Sequence, residues 1–302
     1  MPISSLEWTE GSRLMRLARR PLNKAWLLVL LVCLLSGCGL GRGEEAWTNL
    51  ANRGAGYEFK PADFRVSPFN LSGLLKGSPG ASTELVVYLE GDGRGVIKGR
   101  VTQDPTPSRA MGFELARSDP APAVLYLARI GQFQSAQTGQ KYQAYWSNKR
   151  LAEEAVQAAG QAIDEAKARL GARRIHLIGY SGGGGLAILL AERRSDVASL
   201  STVAGLLDTY WWVREQNYQP LTGSLNPADQ AARLTSLPQV HFYGRDDSII
   251  PPDMSAHFQT LAPFTNFQRV GLDTNHWKAW PELWPGLLKK YLLPVRSKAH
   301  QG

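Results

Sequence analysis

The sequence predicts an α/β fold, a mainly parallel sheet flanked by helices with a small cap. Three observations carry this. Short apolar runs bounded by loop residues alternate with helical patterns from Pro61 onward. One stretch repeats apolar residues at steps of four and three. A serine between glycines joins an apolar run to a second helical pattern, and that junction positions chemistry as well as structure.

The buried-strand candidates are Leu85–Leu89, Ala123–Leu127, Ile175–Ile178 and Val240–Tyr243, with Phe267–Val270 as a last strand. Each is too short for a helix and rich in residues that pack on a pleated surface. Between the second and third, Ala152, Val156, Ala159, Ile163, Ala166 and Leu170 make one helical face that stops at Gly171, a crossover helix. Further helices are expected over 184–194 and 281–292. Residues 206–238 break the alternation with Tyr210, Trp211, Trp212 and Tyr218. They read as a cap, or as core packing for a long connection.

Composition narrows the classes. Among 302 residues, 43% are hydrophobic and 20% charged, which supports a packed core rather than general disorder. The net charge of +8 includes +3 from residues 1–37, and the rest is scattered, so no phosphate-binding stripe or nucleic-acid motif is present. Cys33 and Cys38 are the only cysteines and lie close together near the N-terminus, leaving the rest of the chain without a disulfide framework or a cysteine metal site.

The N-terminal order is basic from Arg13 to Lys24 and apolar from Ala25 to Leu35, the order of an export signal, and the run is shorter than a bilayer span. Leu35-Ser36-Gly37-Cys38 resembles a bacterial lipoprotein processing site. The expected division is therefore a signal peptide over 1–37, a lipidated Cys38 with a tether over 38–60, and a folded domain over 61–302. By the same resemblance, Gly39 after the cysteine directs the protein to the outer membrane, facing the periplasm.

The chemistry centres on Ile175-His176-Leu177-Ile178-Gly179-Tyr180-Ser181-Gly182-Gly183, a strand running through G-x-S-x-G into a helix. A serine on such a sharp turn needs small neighbours, and the helix start brings N–H groups and positive dipole to its oxygen. The glycines at 182–185 lack the Lys-Ser/Thr of a phosphate loop. Serine needs a base and the base an orienting acid. Asp247 follows the strand at 240–243, with Asp246 as the alternative, and His276 follows the last strand. Of the other histidines, His176 and His241 sit inside apolar strands as core residues, His257 in a surface helix and His300 in a polar tail.

This ordered set resembles the α/β-hydrolase superfamily, and within it small bacterial esterase-like members, over about residues 65 to 295. The resemblance implies an acid in a Gly-x-x-Asp pattern before a proline, which Gly244, Asp247 and Pro251 match. It implies an oxyanion hole from the N–H of Gly182 and of Asp92, in the loop Glu90-Gly91-Asp92-Gly93, where Glu90 stands in place of the family's histidine. The Asp92 charge then needs a partner, Arg94 or Arg129, unless the loop is a plain glycine turn. Tyr180, Trp211 and Trp212 are the candidate substrate contacts. The implied activity is hydrolysis of an ester or related acyl substrate, a small molecule or lipid, without metal or cofactor. The competing reading is a non-catalytic envelope lipoprotein using the fold as a binding module.

Overall fold

The computed structural model describes residues 42–135 and 141–299. Cys38, the signal segment and His300 lie outside the described residues. Among the described residues no helix is long and apolar enough to cross a membrane.

The stretch expected to be a tether contains a helix, α1 (Arg42–Ala55). Ala46, Trp47, Leu50 and Ala51, at successive steps of one, three and one, share its inner face. Leu50 is buried in the same core cluster as Phe59 and Leu74. Glu44 and Glu45 in the first turn and Arg53 in the last complement the helix dipole.

Two strands that the sequence reading did not place, β1 (Lys60–Val66) and β2 (Phe69–Lys76), form an antiparallel hairpin at the sheet edge. The following strands are β3 (Glu84–Leu89), the small pair β4 (Val96–Ile97) and β5 (Arg100–Val101), and β6 (Val124–Leu127). A short helix, α2 (Met111–Ala116), precedes β6. The crossover helix α3 (Glu153–Leu170) ends at Gly171, whose φ of 73° is the left-handed cap that glycine tolerates. Then come β7 (Arg174–Tyr180), α4 (Gly182–Ala191) and β8 (Val197–Val203). After α5 (Thr209–Gln216) and a 3₁₀ segment (Pro227–Leu234) the chain adds β9 (Gln239–Gly244), α6 (Asp253–Thr260) and β10 (Phe267–Leu272). It finishes with α7 (Trp280–Leu287), one π-helical turn and α8 (Leu293–Ala299).

The main sheet has the order β1-β2-β6-β3-β7-β8-β9-β10, antiparallel through β2–β6 and parallel beyond. Every residue of β3 is buried, because both faces are covered. Leu85, Val87 and Leu89 join the α3 and α4 side with Ala159, Ile163 and Leu190. Val86 and Tyr88 join the opposite side with Leu50, Phe113, Trp280 and Trp284.

Strand β8 (VASLSTV) is not apolar enough to announce itself, yet six of its seven residues are buried. Two of its three hydroxyls meet histidines on flanking parallel strands: Ser199 Oγ lies 2.8 Å from His176 Nδ1, and Thr202 Oγ1 2.9 Å from His241 Nδ1. Both histidines are therefore core residues. Burial pushes His241 down to about 3, so it stays neutral.

In the 206–238 segment, Trp212, Ala231 and Leu234 join the main core, while Tyr210 and Tyr218 are exposed. The segment thus anchors itself by packing and keeps part of its aromatic surface free.

Candidate active site

Parallel strands present their C-terminal ends at one edge of the sheet, where ligands collect in open α/β folds. Ser181 follows β7 directly, Asp92 lies three residues past β3, Asp247 three past β9, and His276 four past β10. The fold gathers at this edge residues that are up to 184 positions apart.

Ser181 has φ 52° and ψ −122°, a conformation that costs a side-chain-bearing residue about 1–3 kcal/mol and persists only where the surroundings enforce it. Its N–H donates to the Val203 carbonyl at 3.0 Å, and its own carbonyl accepts from Leu206 N–H at 3.0 Å. The turn is too tight for side chains on either flank. A Cβ on Gly179 would lie 2.1 Å from the Gly183 carbonyl oxygen, and one on Gly183 2.4 Å from that of Leu89.

The side chains of Ser181, His276 and Asp247 form one hydrogen-bonded line. Ser181 Oγ lies 3.0 Å from His276 Nε2, and His276 Nδ1 lies 2.8 Å from Asp247 Oδ2. The carboxylate only accepts, so Nδ1 carries the proton and Nε2 is left to accept from the serine hydroxyl. Asp247 Oδ1 accepts two more bonds, from Ile249 N–H and Ile250 N–H, both at 2.9 Å. Its side chain is fully buried. Asp246 is exposed, and only its backbone N–H is tied, to the Thr274 carbonyl. The structure therefore resolves the choice of neighbour at His276 in favour of Asp247.

Two aromatic donors hold the His276 loop. Tyr180 is buried, and its hydroxyl donates to the His276 carbonyl at 2.8 Å, where Trp280 Nε1 also donates at 3.1 Å. The Tyr180 side chain, expected as a substrate contact, is thus tied through its hydroxyl to the loop that carries the base. Trp212 is likewise committed internally, with Nε1 donating to the Ile249 carbonyl at 2.7 Å. Trp211 is stacked on His257 at 5.6 Å, and His257 Nε2 lies 2.9 Å from Asp208 Oδ2, the carboxylate that caps α5. Neither tryptophan is placed against Ser181 by these contacts.

The loop after β3 packs on the serine turn through Asp92, whose carboxylate lies against the Cα of Gly182. Its partners are Arg129, with Nη1 3.3 Å from Oδ1, and Arg150, with Nη1 2.8 Å from Oδ2. Arg129 was an expected partner and Arg94 was not found there. Arg150 was missed, since it lies 58 residues from Asp92 and no local pattern links them. Arg129 Nη2 also donates to the Arg150 carbonyl, and Arg150 Nε to the Ser147 carbonyl at 2.8 Å. Burial works to raise the Asp92 pKa, but Arg150 and Arg129 outweigh it and hold the group below the ordinary carboxylate range. Asp92 is thus ionised but doubly neutralised.

Glu90 fixes the other end of this loop. Oε1 accepts from Gly91 N–H at 2.9 Å, while Oε2 accepts from Gly112 N–H and the Tyr126 hydroxyl, each at 3.0 Å. With Gly91 N–H occupied in this way, Asp92 N–H is the next donor along the loop. Burial, against these three bonds, lifts the Glu90 carboxyl to about 7.

Strand order, serine turn and three-residue line together define the fold of the α/β-hydrolases. Solved structures of that fold are similar to the chain. Est1E from Butyrivibrio proteoclasticus, with ferulic acid bound, matches at a TM-score of 0.60 with 14% identity, covering 78% of this chain and 99% of that one. A membrane phospholipase A described as a bacterial virulence factor matches at 0.54 with 16% identity, covering 91% and 99%. The acylaminoacyl peptidase of Pyrococcus horikoshii matches at 0.55 with 14% identity, covering 80% and 41%. No protein-family model and no curated protein matches the sequence.

Proposed function

We propose that the chain is a serine hydrolase that cleaves an ester or related acyl substrate through an acyl-Ser181 intermediate. The observation that carries this reading is the continuous line from Ser181 Oγ through His276 to the buried Asp247, with the serine held at positive φ. Its fold neighbours bear the names of esterase, phospholipase and peptidase, which agrees with acyl chemistry in general.

In the proposed reaction, Ser181 Oγ attacks the acyl carbon as its proton passes to His276 Nε2, and Asp247 stabilises the imidazolium. The carbonyl oxygen becomes an oxyanion, which the N–H groups of Gly182 and Asp92 would meet. Collapse breaks the bond to the leaving group, which takes the proton from His276. Water, deprotonated by the same nitrogen, then attacks the acyl carbon, releasing the acid and restoring Ser181.

Labelling of the purified protein by a fluorophosphonate probe tests the assignment. Reaction of the wild type and none of Ser181→Ala is the expected result. Failure of the folded wild type to react would favour the alternative, a binding module built on the same fold.

The envelope setting is a separate part of the proposal and rests on the order of basic, apolar and small residues before Cys38. Incorporation of an alkyne-tagged palmitate that is lost in Cys38→Ser, with the product in the outer-membrane fraction, is the expected outcome. Unchanged labelling in Cys38→Ser would remove the anchor from the reading.

A further inference from the structure

We infer that the β4–β5 hairpin is a docking finger for an anionic lipid surface beside the active-site edge. Val96, Ile97 and Val101 are 42%, 37% and 43% exposed, three of the large apolar residues the fold leaves in solvent, gathered within six positions. Val96 pairs directly with Val101, and Ile97 with Arg100. Opposed residues share a face and successive residues alternate, so apolar groups stand on both sides of the ribbon. A ribbon exposed on both faces has no core to serve. Isolated exposed aliphatics are ordinary, but a cross-strand pair with a third neighbour is a patch.

The finger has a tight turn at its tip and continues directly from the loop that carries Asp92. Lys98 and Gly99 at its tip have φ 50° and 73°, the pair of positive values that a tight two-residue turn needs. At its base, Thr102 N–H donates to the Gly95 carbonyl at 3.0 Å and Trp146 Nε1 donates to the Thr102 carbonyl at 3.0 Å. Gly95 is three residues past Asp92, which itself lies against Gly182.

The charge chooses the partner. From Gly93 to Gln103 the chain carries Arg94, Lys98 and Arg100 and no acid. Cations beside aliphatic tips match a surface of anionic headgroups over acyl chains. Two exposed aromatics follow strand ends at the same edge, Trp277 at 57% and Tyr210 at 64%. Such rings favour the boundary between water and lipid.

An environment-sensitive fluorophore on Ile97→Cys, in the full chain with Cys33→Ser and Cys38→Ser, tests the inference. Phosphatidylglycerol vesicles are expected to shift its emission to the blue, and phosphatidylcholine vesicles to do so far less. Adding Lys98→Ser and Arg100→Ser raises the lipid concentration for half the shift about thirty-fold, at roughly one kcal/mol per cation. The same label on Leu261→Cys, in the loop before β10 at the opposite edge, should not shift. No shift at 97, or equal shifts at 97 and 261, overturns the inference. Docking and catalysis are read separately through fluorophosphonate labelling of Ser181. Labelling without the shift rejects the docking finger alone, and the shift without labelling rejects the hydrolase reading alone.

Discussion

The Asp92 carboxylate lies so close to Gly182 that a methyl group on the glycine would sit 2.1 Å from Oδ1. A negative charge beside the first N–H of α4 opposes an oxyanion, and Arg129 and Arg150 offset it. Arg150→Ala is therefore expected to lower kcat by roughly 10²-fold, the scale of one lost oxyanion donor. Asp92→Asn in that background should restore part of the loss, because the charge needing an offset has gone. A double-mutant cycle on a p-nitrophenyl ester measures this. Simple additivity of the two changes would contradict the electrostatic account.

The neighbouring aspartates should separate sharply. Asp247→Asn removes the acceptor that fixes the His276 tautomer, and a loss on the order of 10⁴-fold in kcat is expected. Asp246→Asn, at an exposed carboxylate held only through its backbone, should stay within about twofold. Comparable losses at both positions would mean that the acid is misassigned.

In the proposed reaction Tyr180 would act through His276, whose carbonyl its hydroxyl holds, as a positioning residue. Tyr180→Phe keeps the buried ring and deletes one of the two side-chain donors to the His276 carbonyl, a bond worth about 1 kcal/mol. The expected readout is a several-fold fall in kcat with KM unchanged, together with a small drop in melting temperature. A rise in KM at constant kcat would return Tyr180 to the substrate.

Glu90 gives stability a pH dependence of defined sign. Its pKa is raised from 4.5 to about 7 in the folded chain, so between these values the native state keeps a proton that the unfolded state releases. The stabilisation is complete below about pH 4.5 and is lost as pH rises to about 7, amounting to about 3 kcal/mol at 1.36 kcal/mol per unit. Denaturant unfolding of Glu90→Gln at pH 5 and pH 8 should show a flatter profile than wild type. Parallel profiles would place the titration elsewhere.

Legibility in the sequence followed locality. The strands over 85–89, 175–178 and 240–243 were readable because parallel strands covered on both faces become nearly continuous apolar runs, as all six residues of β3 show. Strand β8 was hidden because Ser199 and Thr202 are satisfied by His176 and His241 from neighbouring strands. Helix α1 lies in a stretch that reads as a tether, because a polar composition masks the four apolar residues on its inner face.

The sequence by itself determined the serine turn, since only glycines at 179 and 183 let the chain pass there, and the chain order of Ser181, Asp247 and His276. Tertiary structure decided which aspartate reaches the histidine, that the Tyr180 hydroxyl ties to the loop that carries the base, and that Arg150 rather than Arg94 joins Arg129 at Asp92. The physical reason is the range of the interaction. Backbone strain and periodicity are settled by residues next to one another in the chain. A hydrogen bond or ion pair between strand ends depends on where the whole sheet delivers its loops.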